Sequence, residues 1–127
     1  MVKGKYSFLV VDDEQDIRGI LSDFLQDSFT CDIQTAPSGL AGLDCAKKQR
    51  FDVIISDHRM PEMTGAEFIN NVRAETGPNQ GTPVIFLSGY VEEARAGIKD
   101  KEKVLFLDKV LYPTELVPSV EKIVNSL

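Results

Sequence analysis

The sequence predicts an α/β fold in which five strands alternate with five helices around a parallel sheet. Three observations carry that expectation. Short runs of β-branched and aromatic residues recur along the chain, each too short for a helix. Stretches with apolar residues at helical spacing separate them. Most of the runs are apolar without alternation, as in strands covered on both faces. Such a repeat closes with right-handed crossovers.

The elements follow in order. Tyr6-Ser7-Phe8-Leu9-Val10-Val11 is the first strand and ends at Asp12-Asp13. Ile17, Ile20, Leu21, Phe24 and Leu25 form the stripe of the first helix. Cys31-Asp32-Ile33-Gln34-Thr35-Ala36 alternates, which suits an edge strand. Leu40, Leu43 and Ala46 mark a second helix. Val53-Ile54-Ile55-Ser56 ends at Asp57, and Phe68, Ile69 and Val72 mark the next helix. Thr76-Gly77-Pro78-Asn79-Gln80-Gly81 is the most loop-like segment. Val84-Ile85-Phe86-Leu87 ends at Ser88-Gly89, before a stripe of Val91, Ala94 and Ile98 that Gly97 interrupts. Val104-Leu105-Phe106-Leu107 ends at Asp108-Lys109. Pro113 is placed to start the last helix, whose stripe is Leu116, Val120, Ile123 and Leu127, flanked by Val117 and Val124.

Composition narrows the function classes. With 127 residues, the chain is expected to form one domain over 1–127 and to need no disulfide or zinc staple. A net charge of -6 argues against a general nucleic-acid binder, because phosphate backbones repel it. No apolar run approaches the roughly 20 residues that span a bilayer, and Met1-Val2-Lys3-Gly4-Lys5, with no long apolar run or small-residue cleavage site after it, is not expected to open a signal peptide. A cytoplasmic protein is expected. Cys31, Cys45 and His58 make no zinc-binding spacing, so the cysteines read as reduced thiols.

Ligands in open α/β sheets bind outside the carboxyl ends of the strands. Here those ends carry Asp12 and Asp13, Asp57, Ser88 and Lys109. Each alone has an ordinary structural reading: Asp13 with Asp16 as a helix cap, Asp57 and Ser88 as turn residues, Lys109 as a solvated charge. Their convergence on one rim is harder to assign to turn chemistry. Three carboxylates in a small site repel one another, and a bound cation relieves that penalty. Oxygen-only ligands suit Mg²⁺, with Lys109 and Ser88 facing phosphate oxygens, an arrangement for phosphoryl transfer.

Taken together, the residues resemble a receiver domain of the two-component response regulators. The resemblance covers essentially the whole chain. It rests on Leu9-Val10-Val11-Asp12-Asp13-Glu14, on Asp57-His58-Arg59-Met60-Pro61-Glu62-Met63-Thr64-Gly65, on Pro83-Val84-Ile85-Phe86-Leu87-Ser88-Gly89 and on Leu107-Asp108-Lys109. It implies a flavodoxin-like doubly wound sheet with strand order 2-1-3-4-5. It implies that Asp57 accepts a phosphoryl group from a phosphohistidine of a sensor histidine kinase or phosphotransfer protein. Asp13 and Asp57 would ligate Mg²⁺ directly, Asp12 directly or through water, and the backbone carbonyl of Arg59 would add a ligand. Ser88 and Lys109 would hold phosphoryl oxygens. Ser88 and Phe106 would form a switch that reshapes a partner-binding surface on helix 4, strand 5 and helix 5, for a downstream protein. Phe106 reads equally as a plain core aromatic. Homodimer formation on phosphorylation stays open. The domain would not be an enzyme in its own right, although it would assist its own phosphorylation and dephosphorylation.

Several positions depart from the family pattern. Val110 follows Lys109 where proline is usual, so a trans bond is expected there. Ser88 stands where threonine is commoner. The charged run Gly97-Ile98-Lys99-Asp100-Lys101-Glu102-Lys103 replaces a small-residue turn. Arg59 and Tyr90, two residues past Asp57 and Ser88, are placed to shield an acyl phosphate or to be plain loop side chains. Three other readings compete. A receiver-like scaffold would never take phosphate. A Mg²⁺-dependent phosphohydrolase would need a second acid/base carboxylate and a cap, neither evident near Asp57. A flavin-binding module would need a phosphate cradle where Asp12-Asp13-Glu14 instead repels phosphate.

Overall fold

The computed structural model describes residues 4–74 and 76–127. Five strands, β1 (Tyr6–Val11), β2 (Cys31–Ala36), β3 (Val53–Ser56), β4 (Val84–Ser88) and β5 (Val104–Asp108), form one parallel sheet in the order β2-β1-β3-β4-β5. Helices α1 (Gln15–Ser28), α2 (Gly39–Lys48), α3 (Gly65–Ala74), α4 (Val91–Gly97) and α5 (Tyr112–Val124) alternate with them. This is the flavodoxin-like architecture expected from the motifs. The central strands are sealed because apolar residues point both ways. Leu9, Val11, Ile54 and Phe86 pack with α2, α3 and α4, while Phe8, Val10, Ile55, Ile85 and Leu87 pack with α1 and α5. Each such side chain contributes about 1.5–3 kcal/mol by leaving water.

Several sequence expectations need correcting. Ile20, assigned to the α1 stripe, is 38% exposed, and Leu21 and Leu25 carry the packing. On α2, Leu40 is 53% exposed, and the inward face is Gly39, Gly42 and Ala46. The reason is a close approach. A Cβ at Gly42 would lie 2.9 Å from Val11 Cγ2 and 3.1 Å from the Phe68 ring, so small residues set the helix against β1 and α3. The α5 seam is Leu116, Val120 and Val124, with Ile123 half-buried and Leu127 exposed. Edge strand β5 is only half covered despite its continuous apolar run. Gly97 ends α4 rather than interrupting it, and Ile98 buries itself just beyond.

Two loops are better built than their composition suggests. Asn79, in the segment read as most loop-like, is buried: its Oδ1 accepts from Phe51 N–H (2.8 Å), and its Nδ2 donates to Ala46 O (2.6 Å) and Gln49 O (2.7 Å). The charged 97–103 run is pinned to α3. Asn70 Nδ2 donates to Gly97 O and its Oδ1 accepts from Lys99 N–H, while Arg73 donates to Glu102 O.

Candidate functional site

The carboxyl ends of β1, β3, β4 and β5 meet on one rim. Carboxylate oxygens of Asp12, Asp13 and Asp57 lie within 4.8 Å of one another. Asp12 and Asp57 are buried and Asp13 is exposed. Each buried carboxylate is clamped at both oxygens. Asp12 Oδ1 accepts from Glu14 N–H (2.9 Å) and Asp57 Oδ1 from His58 N–H (2.7 Å). The second oxygens share one cation, with Lys109 Nζ 3.0 Å from Asp12 Oδ2 and 3.0 Å from Asp57 Oδ2. The Asp13–Asp16 cap considered from sequence does not form. Glu14 is the N-cap residue of α1, without a side-chain cap.

Lys109 reaches the pocket because the chain turns sharply after β5. Asp108 Oδ1 accepts from Val110 N–H (3.1 Å) and caps a 3₁₀ turn, Lys109–Leu111. That turn runs directly into α5, with Pro113 in its first turn. Among the described residues no peptide bond is cis, so the Lys109–Val110 bond is trans. Ser88 closes β4 beside Asp108 of β5; it is fully buried, and its Oγ accepts from Tyr90 N–H (3.0 Å).

One lysine does not balance three carboxylates. Burial pushes the Asp12 carboxyl above its ordinary range and Asp57 adds to that, against the opposing pull of Glu14 N–H and Lys109. At Lys109, burial pulls the ammonium down, but its bonds to Asp57 and Asp12 outweigh it and hold the pKa up. The folded state thus holds the Asp12 proton more tightly than the unfolded chain. Its contribution to stability is present at low pH and is lost as pH rises through the raised value. Asp12→Asn, which keeps an acceptor for Glu14 N–H, is expected to flatten that part of the profile. Thermal melts between about pH 4 and 7 check it, and an unchanged slope refutes it.

The β3–α3 loop, which begins at Asp57, is closed on itself. Gly65 N–H donates to His58 O (2.7 Å), closing the loop. Thr64 and Glu67 form a reciprocal cap: Glu67 N–H donates to Thr64 Oγ1 and Thr64 N–H to Glu67 Oε1. The Thr-x-x-Glu spacing is a readable signal that the sequence analysis did not use. His58, which the sequence shows only as a histidine without zinc-binding spacing, is buried. Its Nδ1 accepts from Ala66 N–H (3.3 Å), which leaves the ring proton on Nε2, 3.7 Å from Glu93 Oε1. Burial holds its pKa below the usual value, against Glu93 and Asp57.

Arg59 and Tyr90 are not independent loop side chains. The Arg59 guanidinium lies 3.7 Å from the Tyr90 ring centroid and donates to Glu93 Oε2 from Nε (3.1 Å) and an Nη (2.9 Å). Phe106 is half-buried. Its ring stacks on Phe86 at 5.5 Å with planes 6° apart, and the Arg95 guanidinium sits 4.4 Å from its centroid.

The family model of the response regulator receiver domain matches residues 8–121. The chain belongs to that family. Its relatives place the receiver domain in two-component signalling. The chemotaxis protein CheY-3 of Vibrio cholerae is 32% identical over 96 residues, covering 71% of this chain and 73% of that protein. A protein-glutamate methylesterase/protein-glutamine glutaminase of Halobacterium salinarum is 38% identical over 96 residues, 75% of this chain. The matched stretch spans only 26% of that relative's length. Among solved structures, the chemotaxis response regulator CheY4 of Vibrio cholerae superposes with a TM-score of 0.82 at 35% identity, covering 94% of this chain and 98% of that one. The response regulator TrrA of Thermotoga maritima, solved in complex with Mg(2+)-BeF, does so with 0.77 at 26% identity, covering 93% and 98%. No helix among the described residues is long and apolar enough to cross a membrane.

The acidic pocket suits a hard divalent cation. Its donors are carboxylate oxygens alone, their charge exceeds what Lys109 offsets, and the exposed Asp13 leaves one side open to water. Mg²⁺ at such a cluster is typical of receiver domains.

Proposed function

We propose that this receiver domain, over 1–127, accepts a phosphoryl group on Asp57 from the phosphohistidine of a sensor histidine kinase or phosphotransfer protein in the cytoplasm. The observation that carries the reading is the shared cation: Lys109 Nζ sits 3.0 Å from both Asp57 and Asp12, while Asp13 completes the carboxylate cluster. Asp12, Asp13 and Asp57, with the backbone carbonyl of Arg59, would hold Mg²⁺. When bound, the ion supplies charge neutralisation for the crowded carboxylates and the transferring phosphoryl oxygens.

The protein's residues do the rest. Asp57 Oδ1 is already held by His58 N–H, so the carboxylate is oriented before the donor arrives. A carboxylate oxygen attacks phosphorus, the N–P bond to the donor imidazole breaks, and that imidazole leaves with the electron pair and takes up a proton. Lys109 moves its contact from the carboxylate to a phosphoryl oxygen, and the Ser88 hydroxyl donates to another. As Ser88 turns toward the phosphoryl group, Phe106 follows into the space released. That motion breaks the Arg95 stack on its ring and alters the surface of α4, β5 and α5 presented to a downstream protein. The Arg59–Tyr90 stack is tied to α4 through Glu93, which supports a role for the pair in shielding the acyl phosphate from water.

Incubation with Mg²⁺ and a small acyl-phosphate donor tests the reading. Intact mass is expected to show one added phosphoryl group, lost on standing. Asp57→Ala abolishes the addition. Turnover of the donor without accumulation points to a hydrolase, and no reaction with donor or with phosphorylated kinase points to a scaffold; either outcome refutes the proposal.

A further inference from the structure

Glu93 belongs to no motif of the site, yet both of its carboxylate oxygens face the two residues that follow Asp57. Oε2 accepts from Arg59 Nε (3.1 Å) and an Nη (2.9 Å), and Oε1 lies 3.7 Å from His58 Nε2. Glu93 stands in the first turn of α4, 34 residues along the chain from Arg59. The guanidinium it holds is the one that lies 3.7 Å from the Tyr90 ring centroid. Arg59 and Tyr90 come two residues after Asp57 and Ser88, so both chains of contact start from the rim that carries the acceptor. Tyr90 is fixed there at its backbone, where its N–H donates to Ser88 Oγ (3.0 Å).

Arg59 has more freedom. Its side chain is 56% exposed, and an exposed contact with an aromatic face contributes only about 0.5–1 kcal/mol. The ring alone would leave the guanidinium free to return to solvent. Two N–H groups of one rigid plane converging on a single carboxylate oxygen fix its direction as well as its distance. An ion pair this exposed adds little to stability. Its consequence is where the guanidinium sits, not whether the chain folds.

We infer that Glu93 is a positioning residue: it fixes the Arg59 guanidinium against the Tyr90 ring and thereby sets how long a phosphoryl group survives on Asp57. The role exists only if Asp57 is the acceptor. Loss of the group is hydrolysis. A water oxygen bonds to phosphorus, the bond from phosphorus to the Asp57 oxygen breaks, and the carboxylate leaves with the electron pair while the protons of the water pass to the released phosphate and to solvent. Glu93 touches none of these atoms. It acts through Arg59, and without it the guanidinium and the ring part and water gains access.

The whole chain is phosphorylated with Mg²⁺ and a small acyl-phosphate donor, the donor is removed, and intact mass follows loss of the phosphoryl group. Glu93→Ala is expected to shorten the half-life by about fivefold or more. Glu93→Gln, whose amide oxygen still accepts from Arg59, is expected to fall between that variant and the wild type. Arg59→Ala shortens the half-life likewise, and adding Glu93→Ala to it changes the half-life by less than about 1.5-fold, because the carboxylate acts through the guanidinium. Glu92→Ala removes the neighbouring α4 carboxylate, which lies 3.7 Å from Arg95 instead, and is the control for a general loss of charge. Thermal melts of the Glu93 variants should stay close to the wild type. In the resting chain, the Arg59 Nε–H resonance should exchange slowly with water and be lost in Glu93→Ala. An unchanged or longer half-life in Glu93→Ala overturns the role. So does an effect that adds in full to that of Arg59→Ala, or one that Glu92→Ala reproduces. If the wild type takes up no phosphoryl group, the acceptor assignment fails and the role falls with it, while the Arg59 resonance reads separately whether Glu93 holds the guanidinium.

Discussion

Gly65→Ala is expected to destabilise the protein by about 3 kcal/mol and to displace Asp57. A Cβ built at Gly65 falls 2.0 Å from the Asp57 carbonyl oxygen, 2.9 Å from His58 Cα and 3.0 Å from Asp57 C. All three are backbone atoms, so no side chain can swing aside. Gly65 is the first residue of α3, and alanine there gains at most about 1 kcal/mol of helix propensity. Overpacking of a closed site costs about 1–3 kcal/mol or more, so the clash decides the sign. Relief requires the β3–α3 loop to open, which lengthens the Gly65 N–H to His58 O bond and moves the Asp57 carboxylate away from Lys109. Urea denaturation should show a lower midpoint with an unchanged slope. Gly77→Ala is the control, because a Cβ there meets nothing within 4 Å. A Gly65→Ala midpoint equal to that of the wild type defeats the argument.

The same glycine shows what was legible in the sequence. Gly65 stands out because it closes a run beginning at Asp57, and the polar residues at the strand ends were readable because apolar runs stop abruptly at each of them. Parallel strands then bring those ends together whatever the helices do. What was not legible depends on contacts between segments distant in sequence. Arg59 and Glu93 are 34 residues apart, and nothing in either segment says that a guanidinium will bridge a carboxylate and a Tyr90 ring. The inward face of α2 was misread for a related reason. Apolar periodicity favours Leu40, but a Cβ at Gly42 would crowd Val11 of β1 and Phe68 of α3, one at Gly39 would crowd Met63, and Leu40 turns to solvent. Asn79 was hidden by its own loop composition. A Pro-Asn pair signals a turn, not a buried amide that ties the β4 approach to α2 and Phe51. In β5, a continuous apolar run suggested coverage on both faces. An edge position leaves Leu105 open instead.

Lys109→Met is expected to slow phosphorylation of Asp57 by about a hundredfold or more while leaving the fold intact. The side chain length is kept and only the ammonium is removed. In the resting protein that ammonium is the sole cation among the described residues bridging two buried carboxylates. Its loss leaves Asp12 and Asp57 facing each other with their repulsion uncompensated, which also removes the positive group positioned to receive a phosphoryl oxygen. Stability changes less, because removing a partly buried lysine also removes the cost of desolvating it, and Lys109 remains one-fifth open to water. Lys109→Arg should restore little. A planar guanidinium presents donors in a fixed fork, whereas the pocket places one nitrogen equidistant from two oxygens on different residues. Single-turnover transfer from an acyl-phosphate donor, followed by intact mass at saturating Mg²⁺, separates the two effects. Slow accumulation to the same final stoichiometry is the expected result. A rate within about threefold of the wild type would make Lys109 a structural tie between β1, β3 and β5 and remove it from the transfer step.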